Sequence, residues 1–439
     1  MPGPSHAAQP RGAAGRPRPR LWLLGLLLLS GCATTYMDVM QQVDQDLSHQ
    51  QPEAALKTLD KLQGGKDQAL YLLNKAMVLR MTGDYADSVK VFEQAKPLME
   101  YLEATSVTES ASAFTLSENL RTYQPPLYER LMVHVYQGLN FLQLGQPDSA
   151  RVEAQQVDDL LKRLYPNADA APNGGDAFPR YFSGLVYENM AEYSDAMIAY
   201  RQAYKSYKAQ GATDAQIPQD LKLSLCRFAD YLGLQDELDD YKKRFGIDKW
   251  PPVSLQDDQG QVLFVFSDGM GPMKYAQSAV LPDPVNGQYY SVSLPVLRRR
   301  GQLARYADIT VGDATGQTQR MASIYDDAEQ QLKADKTKLL AAQFSRNVAR
   351  TVAANAANNK AQGLGTVLSL VASVADQADT RIWGTLPDNI QVARVRLAPG
   401  TYDMTVQLRG GYGGTRVLKD VVVSAGQMTF TSLQWTSLN

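Results

Sequence analysis

The sequence predicts a multidomain chain: an all-α helical repeat array, then an α/β module that ends in a β-sandwich-like segment. Three observations carry this. One pattern of small and aromatic residues recurs three times between positions 76 and 203. The hydrophobic period changes from helical to strand-like after Trp250-Pro251-Pro252. Alternating segments divided by Gly-containing turns close the chain. The divisions that follow are an export segment at 1–31, a repeat domain at 32–249, a linker at 250–260 and a C-terminal module at 261–439.

Residues 1–20 hold Arg11, Arg16, Arg18 and Arg20 and no acid, and residues 21–29 then form an apolar run of nine. A basic stretch before a short apolar core is the pattern of an export signal. The run is too short for a helical span, which needs ~20 residues. Leu29-Ser30-Gly31-Cys32 resembles a bacterial lipobox, which implies cleavage before Cys32 and acylation of its thiol. Several acyl chains, at ~0.8 kcal/mol per buried CH₂, hold a protein stably to lipid. Ala33 follows instead of Asp, which by analogy with Gram-negative lipoproteins implies an outer-membrane anchor facing the periplasm. Cleavage removes four of 44 basic residues and none of the 46 acids, so the net charge moves from -2 to -6. That balance argues against a nucleic-acid partner. Cys226 is left as the lone thiol, in an apolar run that suits a small buried hydrophobe.

Met37, Met40, Val43 and Leu47, then Leu56, Leu59 and Leu62, space as a helix pair over 36–63. Three repeats follow. The first reads Ala76, Gly83-Asp84-Tyr85, Ser88, Phe92, Ala95. The second reads Gly138, Phe141, Gly145-Gln146-Pro147, Ala150, Ala154. The third reads Gly184, Tyr187, Ala191-Glu192-Tyr193, Ala196, Tyr200, Ala203. These resemble tetratricopeptide repeats (TPRs), so the array is TPR-like. A small residue within the first helix lets the second approach closely, and Gly or Ala ends the first helix. Residues 101–125 and 166–179 read as an insertion and a loop, and a degenerate fourth hairpin runs from Pro218 to Phe245 with its turn at Gly233. Stacked hairpins form a concave binding surface. The TPR register assigns Arg80, Gln143, Tyr181, Glu188 and Asn189 to it. The competing reading of each is a solvated helix residue.

In the C-terminal module, residues 262–266 are continuously apolar, which suits a strand buried on both faces. Residues 289–294 and 306–311 read as further strands, and 321–361 as a long helix. The small apolar stretch 363–375 is too short to cross a bilayer. It reads as a buried helix or as one that meets a membrane or partner. Strands are expected at 391–397, 401–408, 417–423 and 428–435.

Catalytic signatures are sparse. Asp268-Gly269-Met270-Gly271 after a strand looks like the first metal motif of alkaline phosphatases. That chemistry draws further ligands from downstream histidines, and no His follows His134. The segment therefore reads as a tight turn, with a backbone anion nest as the competing reading. No enzyme activity, cofactor or metal is expected. Arg298-Arg299-Arg300 reads as a solvated loop, with a contact to phosphate or an acidic partner as the competing reading. The cluster at 376–383, with Asp379, Arg381 and Trp383, reads as a buried ion pair under an indole or else as a contact surface. Tyr128, Glu129, Arg130 and His134 lie within two turns of one helix, so they read as one polar network and a candidate partner site. His134 alone reads as a packed core residue.

Residues 123–130, His134, the run Ala150-Arg151-Val152-Glu153-Ala154, residues 268–274 and 378–387 together resemble a family of proteobacterial TPR-containing outer-membrane lipoproteins. The resemblance spans nearly the whole mature chain and implies a place in cell-wall or envelope assembly. The expected function is a lipid-anchored periplasmic scaffold that binds an envelope protein through the TPR-like surface. The alternative is a peptidoglycan- or glycan-binding lipoprotein, which would show an exposed cleft of aromatics and carboxylates in the β-rich module.

Overall fold

A computed structural model of the chain describes residues 3, 36–65, 67–109, 122–167, 171, 174–256, 258–282, 289–301, 303–360, 378–411 and 413–436. The export segment, Cys32 and the apolar stretch 363–375 lie outside these residues.

A helix pair, α1 (Tyr36–Ser48) and α2 (Pro52–Leu59), opens the array. Four hairpins follow: α3 (Gln68–Met81) with α4 (Tyr85–Glu109), α5 (Leu127–Gln143) with α6 (Pro147–Leu164), α7 (Ala177–Asn189) with α8 (Tyr193–Ala209), and α9 (Gln219–Tyr231) with α10 (Gln235–Phe245). All four turns share one backbone device. Asp84 N donates to Leu79 O, Gln146 N to Phe141 O, Glu192 N to Tyr187 O and Leu234 N to Ala229 O, at 2.8 to 3.0 Å. This six-to-one bond closes a helix whose next residue is left-handed. Gly83, Gly145 and Gly233 hold that position, and Ala191 holds it in the third hairpin at φ 57°.

The small residues act as the repeat pattern requires. A Cβ on Gly184 would lie 2.5 Å from the Tyr200 ring across its own hairpin. One on Gly138 would lie 2.8 Å from Phe182 of the next hairpin. The 101–125 expectation needs a correction, because α4 continues to Glu109.

The C-terminal part contains β1 (Gly260–Asp268), β2 (Met273–Pro282), β3 (Tyr289–Arg298), β4 (Tyr306–Val311), β5 (Ala314–Gln317) and β6 (Gln319–Ser323). The long helix α11 (Ile324–Lys360) precedes β7 (Asn389–Leu397), β8 (Gly400–Arg409), β9 (Gly414–Val423) and β10 (Met428–Trp435). One sheet has the order β10-β1-β7-β6, a second β5-β4-β8-β9, and β2 pairs with β3. β1 runs parallel to β10 and antiparallel to β7. Strands β2, β5 and β6 were not among those expected from the sequence.

The two four-stranded sheets form a sandwich, and its first sheet is the middle layer of the molecule. Val262, Phe264 and Phe266 of β1 pack with Ile309, Val406 and Met404 inside the sandwich. Leu263 and Val265 point the other way and join Ile390, Val392, Phe430 and the helices in one continuous core. Strand side chains alternate between faces, so the apolar run of β1 feeds both cores. The segment near 250–260 is no loose tether: Val253 lies in this core, Trp250 packs against it and bonds Asp230, and apolar packing continues across it. Helix α11 lies on β3, where the Ser293 N–H donates to Gln343 Oε1 at 2.7 Å. Among the described residues, no helix is long and apolar enough to cross a membrane.

Candidate functional site

The middle sheet covers most of the surface that the TPR register leaves open. Tyr181 does not face a groove, and Glu188 borders one only as a buried, fully paired carboxylate. Tyr181 is fully buried, and its hydroxyl donates to Asp220 Oδ2 at 2.5 Å. Glu188 accepts from Tyr200 at 2.6 Å, from Arg227 at 2.6 Å and from Arg394 of β7 at 2.8 Å. Arg394 also donates to Asp220 Oδ1 at 3.0 Å. Burial pushes the Asp220 carboxyl up, but Arg394, Arg227 and the Tyr181 hydroxyl outweigh it and hold it below its ordinary range. Arg80 is buried as well, bonded to Asn140 and, at 2.5 Å, to Ser432 of β10. The cause is the same in each case: side chains from β7 and β10 take up the array's polar groups.

Gln143 and Asn189 remain at an opening. They line a groove of about 670 Å³ between the hairpin turns at Gly145 and Ala191 and the strands β9 and β10. Gln143 Nε2 donates to the Phe430 carbonyl of β10 at 3.0 Å. Val422, Met428 and Thr429 form the facing wall, with Tyr193, Val253 and Leu255 beyond. Of the groove's charges, Glu188 is held by two arginines and Lys419 by Asp403, while Asp420 at the rim has no ion pair among the described residues.

Tyr128, Glu129 and His134 fall into two networks, not one. Glu129 is fully buried and accepts from Tyr123 Oη at 2.6 Å, Tyr128 Oη at 3.1 Å and the Trp383 N–H at 3.1 Å. Burial raises its carboxyl, and these donors counter only part of that. His134 Nδ1 instead meets Glu153 Oε2 at 2.7 Å, and Lys96 Nζ meets Glu153 Oε1 at 2.9 Å. Burial pushes Glu153 up, but His134 and Lys96 outweigh it and hold it below the ordinary range. Five residues along a helix turn through roughly 140°, which puts positions 129 and 134 on different faces. Arg130 is half-buried between them in sequence.

The Asp379, Arg381, Trp383 cluster is a buried ion pair, as its composition suggests. Arg381 bonds Asp379 at 2.8 Å and Asp67 of the array at 2.5 Å, and Trp383 is 1% exposed. The Arg298–Arg300 expectation is corrected. Arg300 is buried and clamps Asp44 at 2.5 Å, Gly271 O at 2.5 Å and Gly384 O, while Arg299 meets Asp388 at 3.0 Å. The Asp268 turn forms no anion nest: Gly269 N donates to Trp435 O at 2.8 Å and Gly271 N to Leu386 O at 2.5 Å. Burial pushes the Asp268 carboxyl up to about 7, against bonds from Asn389 at 3.2 Å and from the Ala304 backbone. Among the described residues, no group of three or more His, Cys, Asp or Glu is placed to hold a metal.

Arg394 and the β10 edge were not singled out from the sequence. A signal for Arg394 existed: it shares the strand face of Ile390 and Val392, which are buried. A charge on a buried face needs a charged partner.

Solved structures similar to the chain include MamA MSR-1, at 10% identity over 47% of this chain and 92% of that chain, with a TM-score of 0.27. MamA 41-end from Desulfovibrio magneticus RS-1 is 15% identical over 47% of this chain and 89% of that chain, TM-score 0.29. MamA AMB-1 is 11% identical over 48% and 96%, TM-score 0.28. No protein-family model and no curated protein matches the chain.

Proposed function

We propose that the chain is a non-enzymatic scaffold, lipid-anchored through Cys32 to the periplasmic face of the outer membrane, that binds an envelope protein. The observation that carries this reading is a groove at the tips of the TPR-like hairpins that the middle sheet leaves open. The lipobox-like Leu29-Ser30-Gly31-Cys32 supports the anchor, and the resemblance to proteobacterial TPR lipoproteins supports the compartment.

The test is in-cell photocrosslinking from Asn189, at the groove, and from Lys90, on the far surface, where its side chain is 71% exposed. An envelope protein captured from Asn189 and not from Lys90 supports the reading. No adduct at Asn189, or the same adducts at both positions, overturns it. For the anchor, Cys32→Ser should release the protein from the outer-membrane fraction after a salt wash, and continued sedimentation with that fraction refutes it.

A further inference from the structure

Every β-sandwich has sheet edges whose backbone groups invite another strand, and most edges are blunted by shortness, charge, proline or a bulge. In this sandwich β5 has four residues. β6 has five and a register break between Arg320 and Ala322. β9 carries Arg416, Lys419 and Asp420, and its pairing with β8 is irregular. β10 differs. It has eight residues, Met-Thr-Phe-Thr-Ser-Leu-Gln-Trp, with no charge, no proline and an unbroken register against β1. Its outer edge at Met428–Thr431 is the one that lines the groove.

The direction of its backbone groups follows from three bonds. Gln261 N donates to Gln427 O and Gly269 N to Trp435 O, so odd-numbered positions face β1. Gln143 Nε2 reaches the Phe430 carbonyl, so even-numbered positions face outward. Successive residues of a strand alternate in this way. Met428 and Phe430 thus present N–H and C=O groups to the groove, and one side-chain amide stands where a strand neighbour would. Further along, the Ser432 hydroxyl accepts from Arg80 and the Gln434 side-chain amide donates to the Thr385 carbonyl, and the groove itself borders β10 at Met428–Thr431, the first half of the strand.

We propose that this edge takes an extended segment of the partner protein as an added strand, with Gln143 as the placeholder it displaces. The proposal rests on the scaffold reading above and specifies how the partner is held. Backbone hydrogen bonds supply affinity in such pairing, and alternate side chains supply choice. Here one side of the added strand meets Val422, Tyr193, Val253 and Leu255. Glu188 and Lys419 are already paired and Asp420 stands exposed at the rim without an ion pair among the described residues, so the groove disfavours an acidic segment and selects one with aliphatic side chains at alternate positions.

The experiment selects random phage-displayed peptides on the protein, synthesises the winners and measures their affinity and their effect on amide exchange. The expected winners alternate aliphatic and polar residues and slow exchange at Met428 and Phe430. Met428→Pro removes an outward N–H at the first strand residue, where proline is tolerated, and leaves the β1 ladder its bonds. It should weaken binding about tenfold, as expected for loss of a hydrogen bond with its steric fit. Gln143→Ala frees the Phe430 carbonyl and should tighten binding severalfold, an outcome that does not depend on the proline variant folding. Failure to select such peptides, unchanged exchange at 428–430, or binding indifferent to Gln143→Ala overturns the edge-pairing proposal. A partner still captured from Asn189 would then leave the scaffold reading standing.

Discussion

Ala191 occupies the left-handed position that Gly83, Gly145 and Gly233 fill in the other hairpins. An L-residue there costs ~1–2 kcal/mol, while Gly returns ~0.4–1 kcal/mol of that through unfolded-chain entropy. Ala191→Gly should therefore stabilise the protein by about 0.5–1 kcal/mol, read as a higher melting temperature; a lower one would show that the turn carries no strain. Several buried acids set a pH slope. Burial pushes Asp268 and Asp327 up to about 7 and Asp388 up to about 6, from an ordinary 3.8, and raises Glu129 as well. The folded chain then holds protons that the unfolded chain releases, so this stability is full below the ordinary carboxylate range and is lost as pH rises through 6 and 7. Glu153 and Asp220 act oppositely, below the ordinary range, where their stabilisation is lost as pH falls. Denaturant midpoints should thus fall between about pH 5 and pH 7.5, and Asp268→Asn should flatten that fall. An unchanged slope in the variant would remove Asp268 from its sources.

The hairpins depend on glycines that have no room for a methyl group. Gly184→Ala would push the Tyr200 ring, and overpacking of this kind costs ~1–3 kcal/mol. A drop in the unfolding free energy within that range is expected; a neutral substitution would mean that α7 and α8 can separate without cost. The same glycines made the array legible, because close approach leaves a fixed spacing in the sequence. β1 was legible as well, since a strand between two cores is apolar at every position, and β4 and β10 were expected at their observed bounds. β5 and β6 have four and five residues, too few for a period to show. β2 is largely exposed along its length, so it lacks the one-sided alternation that marks a strand. Gln143 and Asn189 were found by the TPR register, but the covering of their neighbours was not. Arg300 shows why: its partner Asp44 lies 256 residues away, and no local pattern records such a pairing.

At the scale of the whole molecule, the array and the sandwich share one core and a set of buried ion pairs, so they should unfold as one unit. Arg394 is the sharpest probe of that coupling. It comes from β7 and neutralises Glu188 and Asp220 of the array, both buried. Arg394→Met keeps apolar bulk and leaves two carboxylates with Arg227 bonded to Glu188 and Arg396 nearby. Breaking a buried pair from one side costs ~3–5 kcal/mol. The far-UV helix signal reports mainly on the array. Indole fluorescence reports in part on Trp383, which packs edge-on to Phe92 at 6.0 Å between centroids. In the wild type the two signals should give coincident midpoints, and Arg394→Met should lower both together. Two separate transitions would mean that the sandwich leaves the array before the helices melt. In that event Tyr181 and Glu188 would become accessible surface, and the groove at Asn189 would be one part of a larger site that the folded chain keeps closed.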